Sequence, residues 1–444
     1  MTAAAIRGMH ESLRGAAERV AAREPLRRAG RVVRAVGLAV ESVGPRVAVG
    51  EECRLEDAEG ALLSLAEVVG FEGDRIYSMP IDALRGLRHG DRLVATGRTP
   101  RVPVGDALLG RVLDAEARPL DGRGPLPPLP LRSIHAAAVP AMQRPRIREV
   151  MATGIRSIDA ALTIGRGQRI GILSGTGVGK SRLLGGIARH AADEVIVIAL
   201  VGERNREVRE FLEEDLGTGL ARSVVFVATS DESALRRVRC ALAATTVAEG
   251  FRRQGRNVTF LMDSLTRVAT ALREIGLATG EPPSTKGYTP SVFAFLPRLI
   301  ERAGREEGAG AMTGLYTVLV EGDDLNDPIA DAARAILDGH VVLSRRLAER
   351  GHYPAVDVLA SVSRVMPHVA GAAHQAAAQR LRRLMAIYRD HEDLVAIGAY
   401  RPGIDDSLDE AVRWHRPIEE FLRQDLAVAS PLVETLAGLD AIGV

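Results

Sequence analysis

Ser174-Gly175-Thr176-Gly177-Val178-Gly179-Lys180-Ser181 is the stretch whose reading decides the fold. Arg169-Ile170-Gly171-Ile172-Leu173 precedes it and reads as a buried strand; residues 182–190 follow it and read as a helix. Strand, glycine-rich loop, Gly-Lys-Ser and helix, in that order, make a phosphate-binding loop. The glycines let backbone N–H groups turn inward around an anion with no Cβ in the way. The helix N-terminus adds its partial positive charge. Lys180 is placed to reach the β- and γ-phosphates, and the Ser181 hydroxyl to ligate Mg²⁺. The expected nucleotide contacts are therefore Gly175, Thr176, Gly177, Val178, Gly179, Lys180 and Ser181. The general pattern begins with Gly where this chain has Ser174, and Gly175 and Gly177 supply backbone freedom beside it. Of 58 basic residues only Lys180 and Lys286 are lysines, so a compact ammonium in this loop stands out against the arginine usage elsewhere.

Outward from the loop, residues 151–370 alternate strand and helix patterns. Strands are expected at 169–173, 195–201, 224–229, 258–263, 314–321 and 340–344. That alternation predicts a mostly parallel sheet with helices on both faces, its ligand beyond the strands' C-terminal ends. The strand ending Ile198-Ala199-Leu200-Val201 runs into Gly202-Glu203, and we expect it beside the strand of the phosphate loop. Glu203 is then placed to orient a water on the γ-phosphate. Glu207, further along, reads as part of a solvated helix face. The run Val258-Thr259-Phe260-Leu261-Met262 closes on Asp263, the Mg²⁺-coordinating carboxylate expected downstream of such a loop. Residues 352–364 read by themselves as a loop and a strand ending in an arginine.

Residues 1–24 carry an apolar stripe at helical spacing, ended by Pro25, and read as a frayed terminal helix or a docking helix for a partner. Residues 26–96 change period. Short runs at 31–36, 38–43, 46–49 and 64–69 are punctuated by Gly37, Gly44-Pro45, Gly50 and Gly70, which predicts a small β-barrel. Residues 97–150 are Pro-rich and read as an extended connector, partly packed on its neighbours. Residues 371–444 read as helices marked by Leu381, Leu384, Ile387 and Tyr388, then by Ile418, Phe421 and Leu422, with Trp414 packing nearby.

With 444 residues the chain has room for two or three domains. A net charge of +1 and 3% aromatics leave no electrostatic or stacking case for nucleic acid, and none is expected as a partner. Cys53 and Cys240 have no metal-binding spacing, which fits a reducing cytoplasm.

Several motifs in one order carry a resemblance that spans nearly the whole chain: Thr153-Gly154-Ile155-Arg156-Ser157-Ile158-Asp159, the phosphate loop, Gly202-Glu203-Arg204, Met262-Asp263-Ser264-Leu265-Thr266-Arg267, Gly280-Glu281-Pro282-Pro283, Val320-Glu321-Gly322-Asp323-Asp324, and Pro354 to Ser363. The chain resembles the type III secretion ATPase family, its flagellar export branch in particular, and is similar to the catalytic subunit of rotary ATP synthases. The resemblance implies a docking helix (1–25), a β-barrel domain (26–96), a connector (97–150), a RecA-like ATPase sheet (151–370) and a C-terminal helical domain (371–444). It implies ATP and Mg²⁺, a homohexameric ring, and cytoplasmic residence against a membrane export gate. It assigns Arg364 as an arginine finger for the neighbouring subunit's nucleotide, Tyr353 as the ring that stacks on adenine, Glu203 as the catalytic glutamate, and Arg204 a place near the γ-phosphate. Implied partners are a stator-like regulator at the N-terminal helix, a central stalk-like protein facing the loop Gly280 to Tyr288 with Lys286, and export chaperones with their substrates. Leu272 stands where the resemblance leads one to expect Gln. Four rivals are an injectisome ATPase, an ATP-synthase subunit, an RNA-translocating ring and a non-catalytic platform. The Asp263–Arg267 wording argues against the synthase subunit, and Glu203 against the platform. An RNA ring would need a basic, aromatic barrel surface.

Overall fold

A computed structural model describes residues 28–191, 193, 195–320, 322, 324 and 327–442. The helix expected over 1–24, and Glu321 and Asp323 of the quoted motif, lie outside the described residues. The chain divides into two units, residues 1–100 and 101–444.

In the first unit six antiparallel strands close a barrel: β1 (Ala29–Val36), β2 (Ala39–Val43), β3 (Glu52–Glu56), β4 (Leu62–Glu72), β5 (Arg75–Pro80) and β6 (Arg92–Arg98), in the order β1-β2-β5-β4-β3-β6. Period-2 alternation sends Val32, Val40, Cys53, Leu55, Ala66, Val68, Ile76 and Leu93 into its interior. The strand expected at 46–49 is a loop. Gly44 takes a positive φ of 63° and Pro45 offers no N–H, so the chain leaves the ladder there, and Val47 packs on the core from the loop. The sequence reading missed β3, β5 and β6, whose inward alternation is only two or three residues long.

In the second unit β7 (Arg101–Pro103) pairs with β9 (Leu131–Ser133). The main sheet contains β8 (Arg111–Leu113), β10 (Arg169–Ser174), β11 (Val195–Glu203), β12 (Ser223–Thr229), β13 (Val258–Asp263), β14 (Gly304–Arg305), β15 (Ala311–Leu319), β16 (Gly339–Leu343) and β17 (Val356–Ser363). Its order is β17-β16-β10-β15-β13-β11-β12-β8, with β14 paired to β15. All pairs are parallel except β16–β17 and β14–β15. Residues 111–113, part of the expected connector, are thus an edge strand of this sheet. β11 is not beside β10, as expected from sequence; β15 and β13 stand between them.

The sheet is buried on both faces, so its strands are continuous apolar runs. The helices Ala234–Arg253, Leu265–Ala278, Pro290–Ile300 and Pro328–Ile336 cover one face. The helices Arg156–Ala161 and Lys180–His190 cover the other, with Ala372–Ala396, Asp406–Leu422 and Leu432–Ala441 stacked outside them and Trp414 packed among them. Within this layer Asp159 is fully buried. It accepts hydrogen bonds from Thr153 N (2.9 Å), Thr153 Oγ1 (2.7 Å) and Gly154 N (2.9 Å) and so shapes the turn ahead of its helix. Asp159→Ala strands those donors and is expected to lower unfolding free energy by about 3 kcal/mol. Chemical denaturation measures this, and a loss below about 1 kcal/mol contradicts it.

Candidate functional site

The C-terminal ends of β10, β15, β13 and β11 meet at one rim of the sheet and carry Ser174, Leu319, Asp263 and Glu203. The chain leaves β10 at Ser174 and enters the helix Lys180–His190 through Gly175–Gly179. Gly177 (φ 76°) and Gly179 (φ 86°) lie in the left-handed region, which the turn requires. A Cβ on Gly179 would also stand 3.3 Å from the Tyr353 ring, so the ring lies against the loop.

Lys180 opens the helix, and its ammonium points back over the loop to two carboxylates. Nζ is 2.5 Å from Asp263 Oδ1 and 3.5 Å from Glu203 Oε1. Asp263 is held in turn by Thr317 Oγ1 on β15, which donates to Oδ1 at 2.7 Å. Glu203 reaches Lys180 from a strand three places away because β11 runs on to residue 203. A register irregularity between Val201 and Glu203, with Gly202 at φ 72°, turns the chain toward the loop. On the far side of Gly202 lies Arg267, close enough that a Cβ on that glycine would touch it at 3.0 Å.

The electrostatics follow from this crowding. Burial, and after it the Asp263 carboxylate, push the Glu203 carboxyl up to about 7, against the pull of Lys180. Burial works against the Lys180 charge, but the attraction of Asp263 and Glu203 outweighs it and raises that pKa. Glu203 Oε1 is buried with no hydrogen bond, so the site holds an unmet acceptor facing a cation.

Lys180, Glu203 and Arg267 line a cleft of about 480 Å³ together with Gly175, Thr176, Gly177, Ser181, Arg204 and Tyr353. Tyr353 is 43% exposed, which leaves a ring face open. Glu207 also lines the cleft instead of facing only solvent, and Arg204 pairs with it at 3.0 Å. Arg364 is not brought to this cleft. It is exposed at the end of β17, and its Nη2 lies 3.4 Å from the Arg334 carbonyl. Leu272 packs on the core. Thr317 and Arg267 are the site residues sequence reasoning passed over. Arg267 lies four residues beyond Asp263 inside a quoted motif, whereas Thr317 has no local signal.

Two anionic oxygen ligands and a serine hydroxyl, beside backbone N–H groups at a helix start, suit a nucleoside triphosphate with a hard cation. Mg²⁺ takes few protein oxygens and completes its shell with phosphate and water, and the Ser181 hydroxyl with the Asp263 carboxylate would supply that donor set.

Comparison with known proteins agrees with this arrangement. Residues 154–363 match the ATP synthase alpha/beta family nucleotide-binding domain, residues 32–97 the beta-barrel domain of the same family, and residues 370–441 the T3SS EscN ATPase C-terminal domain. The chain is 50% identical over 420 residues to the flagellum-specific ATP synthase of Bacillus subtilis (strain 168), covering 94% of this chain and 95% of that one. It is 48% identical over 414 residues to the type 3 secretion system ATPase of Sinorhizobium fredii, covering 93% and 92%. The assembled ATPase EscN of the enteropathogenic E. coli type III secretion system superposes with a TM-score of 0.89 at 42% identity, over 94% of this chain and 100% of that one. EscN in complex with its central stalk EscO superposes at 0.86 and 41% over the same shares. The chain belongs to the type III secretion ATPase family, which unites the flagellum-specific ATP synthases with the type 3 secretion system ATPases.

Proposed function

We propose that this chain is the ATPase of a flagellar type III export apparatus, hydrolysing ATP at the rim of the parallel sheet to drive export substrates toward a membrane gate. The observation that carries it is the Lys180 ammonium held over the phosphate loop by Asp263 and Glu203, at 2.5 and 3.5 Å. Incoming phosphates compete for that ammonium. Lys180 then turns from its carboxylates to the β- and γ-phosphates, and the loop's N–H groups take the remaining oxygens. Ser181 and Asp263 would hold Mg²⁺, which when bound would supply positive charge against the phosphates. Glu203 polarises the attacking water and accepts its proton. Arg204 and Arg267 line the γ-phosphate end, and Tyr353 offers its open ring face to the adenine.

Arg364, exposed and remote from its own cleft, serves the cleft of a neighbouring copy in a homohexameric ring. EscN, known both assembled and with a central stalk, supports a ring that surrounds a stalk-like partner. A stator-like regulator at the N-terminal helix, and export chaperones with their cargo, complete the partners. The chain works in the cytoplasm, attached peripherally to the gate; no helix among the described residues is long and apolar enough to cross a membrane. Three relatives named for the flagellum stand at 50% identity and those named for the type 3 secretion system reach 49%, which favours the flagellar reading. Disruption of the gene, scored for motility against effector secretion, decides between the two.

The direct test is specific ATPase activity against protein concentration. An interfacial site requires neighbours, so activity per chain is expected to rise by about tenfold or more as rings assemble. A rate per chain independent of concentration would mean that each monomer is complete, and the ring-borne mechanism fails.

A further inference from the structure

A second cavity, of about 520 Å³, borders the same segment of the phosphate loop as the nucleotide cleft. The two share Gly175, Thr176, Arg267 and Leu319 as walls. Beyond that wall the lining becomes cationic. Among its described residues are Arg267, Arg273, Lys286 and Arg345, against the carboxylate of Asp327 on the wall and that of Asp324 beside Lys286. Lys286 stands 3.6 Å from Asp327 and 3.8 Å from Asp324. Arg273 stacks on the Tyr288 ring at 5.1 Å, which leaves the edge of its planar guanidinium to donate. Two polar groups there have no hydrogen bond: Arg267 Nε and Ser174 Oγ. Ser174 is only 2% exposed, so its hydroxyl is buried without a partner, at a cost that a bound acceptor removes.

We propose that this cavity is an oxyanion site that takes inorganic phosphate released from the nucleotide cleft. The inference rests on the ATP-hydrolysis reading of that cleft. Three features select phosphate. The site is rich in donors and net positive among its described side chains, so it favours a small oxyanion. It shares Arg267 with the γ-phosphate end of the cleft. And the anion generated at that shared wall is the product phosphate. Ser174, in the place where the general loop pattern has Gly, adds a hydroxyl on this side of the loop and none to the cleft.

The experiment is calorimetric titration of inorganic phosphate into the full chain, at constant ionic strength, after loading with Mg²⁺ and a non-hydrolysable ATP analogue. With the cleft filled, the wild type is expected still to bind phosphate. Arg273→Ala is expected to weaken that binding by about tenfold and Ser174→Ala by severalfold, as loss of a charged and a neutral donor predicts. Lys286→Ala, a change at an exposed side chain, serves as a second charge deletion, and thermal melts confirm folding of each variant. Disappearance of phosphate binding once the analogue is bound overturns the proposal, as does binding unchanged in all three variants. If the analogue does not load, the hydrolysis reading fails on its own. Phosphate titration of the unloaded wild type and Arg273→Ala then still reads the cavity, a tenfold loss supporting it and no loss overturning it.

Discussion

Glu203→Gln is expected to slow ATP hydrolysis by about a thousandfold while leaving ATP bound, the range that loss of a positioned general base produces. The side chain keeps its size, and Lys180 keeps its 2.5 Å contact with Asp263, so the cradle for the phosphates survives. What would disappear is the carboxylate that, on the proposed mechanism, takes the proton of the attacking water. The wild type carries a matching signature. Burial and the Asp263 charge push the Glu203 carboxyl up to about 7, so in the free enzyme it is protonated below that pH and cannot accept a proton. The value of kcat/KM is therefore expected to fall as pH drops through about 7, roughly tenfold per unit below it. The variant has no such limb. Single-turnover hydrolysis and a pH–rate profile measure both. A variant within tenfold of wild type, or a wild-type profile flat down to pH 5.5, removes Glu203 from the role of base.

Arg364→Ala is expected to cost about a thousandfold or more in turnover, the size of an arginine finger's contribution. On the proposed ring, the cause lies between copies. The Arg364 side chain is exposed; its backbone N–H donates to the Asp338 carbonyl at 3.0 Å, and the residue is not among those lining its own cleft. Its loss therefore leaves nucleotide binding by the isolated chain intact. A mixing experiment reads this directly. Arg364→Ala and Glu203→Gln, each inactive alone, form a competent interface wherever an intact cleft meets an intact finger. An equimolar mixture that assembles at random is expected to recover about a quarter of wild-type activity. A mixture as inactive as its components places Arg364 outside the neighbouring site.

Much of the site was legible because it is local. Gly175 to Ser181 needs only a strand before it and a helix after it, and both are written in the adjacent residues. Asp263 was legible for the same reason, as the acid that ends an apolar run. The neighbours of these residues were not. Thr317 holds Asp263 from β15, 54 residues away, and nothing in Gly314-Leu315-Tyr316-Thr317 marks it. The expected strand at 46–49 failed where a positive-φ glycine and a proline overrode an apolar run, and β3, β5 and β6 were hidden by alternations too short to register.

The sequence by itself determined the class of the fold, the phosphate loop, the two acids and the family. Each rests on residue type at short spacing, where backbone sterics and hydrogen-bonding leave few alternatives. Only the tertiary structure decided which strands lie side by side. Strand order in a parallel sheet is set by crossover connections and by the burial of both faces, and these depend on residues far apart in the chain. That order separated β11 from β10 by two strands and let a bulge at Gly202 return Glu203 to Lys180. It left Arg364 outside the cleft of its own chain. It also set Ser174 on the wall of the second cavity, a position that no motif encodes.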